Sequence, residues 1–159
     1  RGRARWMTSM SLDDRLRAIT LEHDSAARQR AYEALAREVM ASVETTSTTM
    51  DVEDGFEAFM DHIVSDSVPL AISREIIAQV SKTFINLDAA THKRLAAAVL
   101  AKTQPRLVSF EESVWPVREA LARRLAEAKN WSEAADVLAG IEVQTSSAGS
   151  GEYKLKITL

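Results

Sequence analysis

Apolar residues recur every three or four positions over most of the chain, the spacing of one helical face. Leu12, Leu16 and Ile19 predict a first helix over about 12–22, with Ser11 as cap and Asp14 three residues on. A second, about 25–42, starts at Asp24 or Ser25 and carries Tyr32, Leu35, Ala36, Val39 and Val43 on one face. Thr45 to Thr49 reads as a Thr/Ser loop. The third helix, about 52–65 with Asp51 as cap, has the cleanest stripe: Phe56, Phe59, Met60, Ile63 and Val64. Pro69 breaks the pattern. A fourth helix over about 70–85 follows, with Ile72, Ile76, Ile77, Val80 and Phe84 inward. Asp88 caps a fifth over 89–103, which uses Leu95, Val99 and Leu100.

Pro105 ends that region, and Ser109 with Glu112 forms a capping box for a sixth helix over 110–128. Phe110, Val114, Val117, Leu121, Leu125 and Ala128 make its stripe. Pro116 sits inside it; an interior proline costs about 3 kcal/mol, yet six matching positions predict one kinked helix rather than two. Asn130 with Glu133 is a second capping box and opens a seventh helix at Trp131. Ala134, Ala135 and Leu138 follow, and Gly140 is a natural stop. So short a connection forces an antiparallel helix pair, and Trp131 at its start reads as a core residue.

The tail changes period. Val143 to Gly151 reads as a Ser/Gly loop, and Tyr153, Leu155, Ile157 and Leu159 then alternate with polar residues as a strand does. The head, Arg1, Arg3, Arg5 and Trp6, resembles the basic start of a targeting peptide, but no apolar region follows it. The expected organisation is a disordered or scar-like head over 1–9, a helical-repeat domain over 10–142, and a flexible, truncated segment over 143–159. The fold class is all-α: about seven helices in antiparallel pairs, forming an α-solenoid whose pairs stack because none buries its apolar face alone.

Composition narrows the chemistry. The 159 residues are 46% hydrophobic, enough for a core, and carry a net charge of −3, which argues against a generic nucleic-acid binder. There is no run of ~20 apolar residues, the length a membrane span needs. The absence of cysteine excludes disulfides, thiolate zinc sites and a cysteine nucleophile. His23, His62 and His92 are scattered without metal-ligand spacing and read as surface or boundary residues. Gly149-Ser150-Gly151 lacks the lysine and preceding strand of a phosphate loop, and no Gly-x-Ser-x-Gly elbow is present. The expectation is a protein that is not an enzyme. No catalytic, metal or cofactor-binding residue is assigned, and no cofactor, nucleic acid, membrane or small-molecule substrate is expected.

Charge is unevenly placed. Residues 41–73 hold seven acids and no Lys or Arg, whereas 74–131 hold ten basic residues against six acids. On the third helix Asp54, Glu57 and Asp61 fall opposite the Phe56/Ile63 face, an outward acidic ridge and the candidate partner-binding site. Arg118 and Arg124 flank the stripe of the sixth helix, where their aliphatic stems cover core edges.

Two blocks are recognisable. One runs from Gln104-Pro105-Arg106 through Ser109-Phe110-Glu111-Glu112, then Val117-Arg118, Leu121-Ala122, Trp131, Ala134-Ala135, Val137-Leu138 and Gly140-Ile141. The other is Ala58-Phe59 through Val64, then Val68, Leu70 and Ile72-Ser73-Arg74. Together, over about residues 56–143, they resemble the subunit 4 family of the COP9 signalosome. Pro116 replaces a helix-compatible residue of that family, and after Leu155 the chain departs from the helix the family starts there. Family members are more than twice as long and end in a PCI domain, so the resemblance suggests an N-terminal fragment or a shortened gene product. It implies a TPR-like scaffold arm, without catalytic residues, of the assembly that removes NEDD8 from cullin–RING ubiquitin ligases. Its implied partners are the other signalosome subunits and the ligase, and its implied location is nucleus and cytoplasm. The alternatives are the related scaffold subunit of the 26S proteasome lid, or a standalone helical-repeat adaptor that binds a peptide.

Overall fold

A computed structural model describes residues 10–45 and 50–147, the last eight of these by backbone alone. Among the described residues there are seven α-helices and no strand: α1 Leu12–Thr20, α2 Ser25–Thr45, α3 Met50–Ile63, α4 Leu70–Thr83, α5 Ala89–Thr103, α6 Leu107–Glu127 and α7 Trp131–Ser147. Single 3₁₀ turns, Phe84–Asn86 and Gln104–Arg106, join α4 to α5 and α5 to α6.

Each helix packs chiefly on its neighbours one and two places along the chain. The odd helices α1, α3 and α5 form one row, the even helices α2, α4 and α6 a second, and α7 packs on α6. This two-row stack is the all-α helical-repeat arrangement that the periodicity implies. Its core lies between the rows, where Tyr32, Leu35, Phe56, Phe59, Met60, Ile63, Ile76, Ile77, Phe84, Leu95 and Phe110 are sealed from solvent. Each such side chain contributes roughly 1.5–3 kcal/mol relative to exposure. Phe84, just past the end of α4, sets its ring 6.2 Å from that of Phe56.

Several helix starts follow the sequence. Ser11 Oγ accepts from the Asp14 amide at 3.2 Å. The Asp24 carboxylate accepts from the Ala27 amide at 3.0 Å, and that of Asp88 from the Thr91 amide at 3.1 Å. Others do not. Helix α3 begins at Met50, so Asp51 lies inside its first turn rather than capping it. Helix α6 begins at Leu107, directly after the 3₁₀ turn, which places Ser109 and Glu112 inside the helix and removes their capping box. The Asn130–Glu133 box is also absent: the Asn130 amide bonds Leu125 O at 2.8 Å, and Glu133 pairs with Lys93 instead.

Pro116 stays within one unbroken helix, as expected. It faces solvent, so the carbonyl it leaves without an amide partner can turn to water. Gly140 does not stop α7, which runs on to Ser147 through part of the segment expected to be a loop; a lone glycine costs a helix only about 1 kcal/mol. Ala128 is exposed because α6 has already ended at Glu127. The rest of the Thr/Ser loop, the head over 1–9 and the alternating tail lie outside the described residues.

The α6–α7 turn is a Schellman motif. The Asn130 amide reaches back to Leu125 O at 2.8 Å and that of Lys129 to Ala126 O at 2.9 Å, with Lys129 held at φ 62°. A left-handed conformation costs a residue with a Cβ roughly 1–2 kcal/mol. Lys129→Gly is therefore expected to raise stability by about 1 kcal/mol, read as a gain of about 2–4 °C in thermal midpoint. Gly55, inside α3, is a different case: a Cβ built there meets nothing within 4 Å. Gly55→Ala should stabilise by about 0.5–1 kcal/mol in urea titration, since alanine loses less backbone entropy on entering a helix.

Candidate interaction surface

The acidic third helix and the basic residues after it meet within the molecule. Across the α3–α5 row Arg94 Nε lies 2.6 Å from Glu53 Oε1, and Lys102 Nζ lies 3.0 Å from Asp61 and 3.9 Å from Glu57. Beyond the helix ends Arg106 Nη2 lies 3.3 Å from Asp66. The charge asymmetry of the sequence is thus largely a ladder between neighbouring helices. Exposed pairs of this kind contribute little stability each; their regular spacing sets the register of α5 on α3. Of the ridge residues, all three are exposed, but Glu57 and Asp61 are engaged by Lys102. Asp54 makes no hydrogen bond or ion pair among the described residues.

The two recognisable sequence blocks meet at one end of the stack. Arg106 donates to Val64 O at 2.5 Å and lays its guanidinium 5.5 Å from the centre of the Phe110 ring, a cation–π contact. Arg74 Nε donates to Ser109 O at 2.9 Å, and Ser73 Oγ to Ile63 O at 2.7 Å. Carbonyls left over at the end of α3 are therefore capped by side chains from α4 and from the turn before α6. Parts of the two blocks thus form a structural joint.

Two histidines were placed less fully by sequence. His62 is half-buried and sits in a polar chain across three helices, with Nε2 2.9 Å from Tyr32 Oη and 3.3 Å from Thr20 Oγ1. Thr20 Oγ1 lies 3.1 Å from Tyr32 Oη and donates to Leu16 O at 2.8 Å. With that donor committed, one direction satisfies the chain: His62 Nε2–H to Tyr32, Tyr32 O–H to Thr20, Thr20 O–H to Leu16. His92 is not a surface residue; it is 2% exposed, beside the Phe84 ring at 5.5 Å. Its Nδ1 lies 3.0 Å from Arg124 Nη1, a donor, so Nδ1 accepts and the proton sits on Nε2. That Nε2–H is buried without a partner. It escaped the sequence reading because the first turn of a helix is usually wet; here the 3₁₀ turn carrying Phe84 folds over it. Arg118, expected to cover a core edge, is itself buried, whereas Arg124 is half-buried over His92. Trp131, read as a core residue, is 65% exposed. The core at the start of α7 is closed by Ala134 three positions on, and Leu138 is partly exposed as well.

Among the described residues no three His, Asp or Glu side chains converge as a metal site, and no helix is long and apolar enough to cross a membrane. What the stack presents is surface: exposed helix faces, exposed apolar side chains at the turns, and shallow clefts between rows. Geometry of this kind defines a helical-repeat protein of the α-solenoid class. The family model for the PSMD12/CSN4 N-terminal region matches residues 16–159, and the chain belongs to that family. COP9 signalosome complex subunit 4 of Arabidopsis thaliana is 39% identical over 89 residues, 56% of this chain and 22% of the relative. The protein of the same name from Drosophila melanogaster is 35% identical over 114 residues, 72% of this chain and 27% of its own. That from Dictyostelium discoideum is 35% identical over 102 residues, 64% and 26%. The chain spans about a quarter of the length of these relatives.

Burial holds His62 and His92 below the ordinary histidine pKa; a weaker pull from Asp13 opposes this at His62, and Arg124 adds to it at His92. Both stay neutral in the fold while the unfolded chain protonates near pH 6.5. Their contribution to stability is thus fully present above about pH 6.5 and is lost as pH falls through the lowered folded values. The urea midpoint should hold level from pH 8 to 7 and fall from about pH 6.5 to 5. His92→Gln should flatten that fall; an unchanged slope would assign it elsewhere.

Proposed function

We propose that this chain is the N-terminal helical-repeat part of a COP9 signalosome subunit 4, a non-catalytic scaffold arm of the assembly that removes NEDD8 from cullin–RING ubiquitin ligases. The observation that carries this reading is the 35% identity to a subunit 4 across 72% of the chain. The matching family description also names PSMD12, but the three relatives above all bear the subunit 4 name. The packing is consistent with an arm. Its rows are held in register by ion pairs and its turns by side chains on backbone carbonyls, so a contact at one end is held rigidly relative to the other. In this reading the repeat domain spans 10–142. Its partners in this reading are the other signalosome subunits and the cullin–RING ligase, and its setting is nucleus and cytoplasm.

Within the acidic ridge the partner contact falls to Asp54, since Glu57 and Asp61 are already paired with Lys102. The test is a titration of the folded chain against an intact cullin–RING ligase at low and physiological salt. Saturable binding that weakens with salt is expected. Asp54→Lys should reduce affinity about 3–10-fold, as removal of an outward charge from a steered encounter does, without changing the circular dichroism spectrum. Glu57→Lys with Asp61→Lys should instead lower the thermal midpoint, because it sets three cations together. Absence of binding by the folded chain would overturn the arm reading, and an unchanged affinity for Asp54→Lys would remove the ridge from it.

A further inference from the structure

We propose that the cleft between the 3₁₀ turn after α4 and the last turns of α6 binds a short acidic peptide segment, taking one carboxylate on Arg124 and a neighbouring apolar side chain against Ile85. The cleft has a volume of about 250 Å³, with His92, Ala120, Arg123 and Glu127 also in its lining. It is independent of the acidic ridge and of the joint at the opposite end of the stack.

The argument begins with Arg124. It is the one lining cation with no carboxylate partner among the described residues; Arg123 is paired with Glu119 at 3.0 Å. A half-buried guanidinium normally finds an anion, because burial without one costs desolvation energy that nothing returns. Here its guanidinium instead meets a neutral acceptor, His92 Nδ1, at 3.0 Å. The imidazole fixes one edge of the guanidinium and cannot swing away, since it is buried against Phe84. Arg124 lines the cleft, and a guanidinium has further N–H donors in a fork suited to a carboxylate. Beside them Ile85 is 78% exposed on a 3₁₀ turn, an apolar side chain held outward by the burial of Phe84 before it and Leu87 after it.

Glu127 at the lip decides the kind of anion. Arg123 and Arg124 are balanced by Glu119 and Glu127, so a single carboxylate on Arg124 adds one negative charge, and a dianionic phosphate adds more against Glu127 and Glu119. Exposed Ile85 adds an apolar surface that a free inorganic anion leaves uncovered. An acidic side chain next to an aliphatic one, in an extended peptide, meets both demands.

The test uses the full chain and a fluorescein-labelled peptide of three Glu-Leu-Gly repeats, with its Gln-Leu-Gly counterpart, read by anisotropy. Saturable binding of the acidic peptide is expected, with the glutamine peptide at least about tenfold weaker, the loss of one charge-assisted pair. Arg124→Gln should bring the acidic peptide down to the level of the glutamine peptide, while Arg17→Gln, the same charge change on α1, leaves it unaltered. Glu127→Gln, at an exposed position that cannot compromise folding, should tighten the acidic peptide roughly threefold and decides the matter should Arg124→Gln fail to fold. Ile85→Ser should weaken both peptides. Equal binding of the two peptides, no binding at millimolar concentration, or no response to Glu127→Gln would overturn the proposal. Displacement by an equal concentration of inorganic phosphate would replace it with a free-anion site.

Discussion

The stripe of α3 is the element on which the rest of the molecule depends. Phe56, Phe59, Met60 and Ile63 are all sealed from solvent, and no single neighbouring helix can cover so broad a face. It is closed by α1 and α5 alongside it and by the even row beneath, with Phe84 arriving from the turn beyond α4. The two-row stack is the geometric answer to that demand. A helix pair whose apolar area exceeds its own mutual contact must add another pair, and the same rule then applies to the pair just added.

Apolar burial brings the rows together without choosing their register, because it has no direction. Polar contacts make that choice. The Thr20–Tyr32–His62 chain ties α1, α2 and α3 at one point. Arg106 and Ser73 cap the end of α3, and the ladder from Arg94 and Lys102 to Glu53 and Asp61 aligns α5 along it. Each is modest in energy. The buried ones among them also cost more to break than to make, since a buried donor or acceptor left alone loses its hydration without replacement. Several residues of the recognisable blocks, Ser73, Arg74 and Arg106 among them, sit in such contacts.

Polar and apolar contacts are unevenly divided along the stack. The end where the two blocks meet is tied by side chains bonded to backbone carbonyls. The opposite end, where α4 turns into α5 and α6 into α7, leaves Ile85 and Trp131 outward and holds Arg124 over a buried histidine. The side-chain caps on backbone carbonyls and the outward apolar side chains thus lie at different ends of the helices.

By itself the sequence determined the helices and their inward faces. The spacing of Phe56, Phe59, Met60 and Ile63, or of Ile72, Ile76, Ile77 and Val80, is a local property of a 3.6-residue period. The capping roles of Ser11, Asp24 and Asp88 are equally local. Family membership was legible for a related reason: Gln104-Pro105-Arg106 and Ile72-Ser73-Arg74 are short runs whose neighbours in sequence act together. Only the tertiary structure decided what each polar residue does. Ser109 and Glu112 match a capping box, yet the 3₁₀ turn before them lets α6 begin earlier. The ridge of α3 reads as open, yet Lys102 lies about forty residues downstream and reaches two of its carboxylates. His92 sits at a position that is ordinarily wet, yet Phe84 covers it, and Trp131 looks like a core residue although Ala134 closes the core in its place. In each case the deciding partner lies on another element, and side-chain burial and pairing depend on through-space neighbours that no periodicity along the chain encodes.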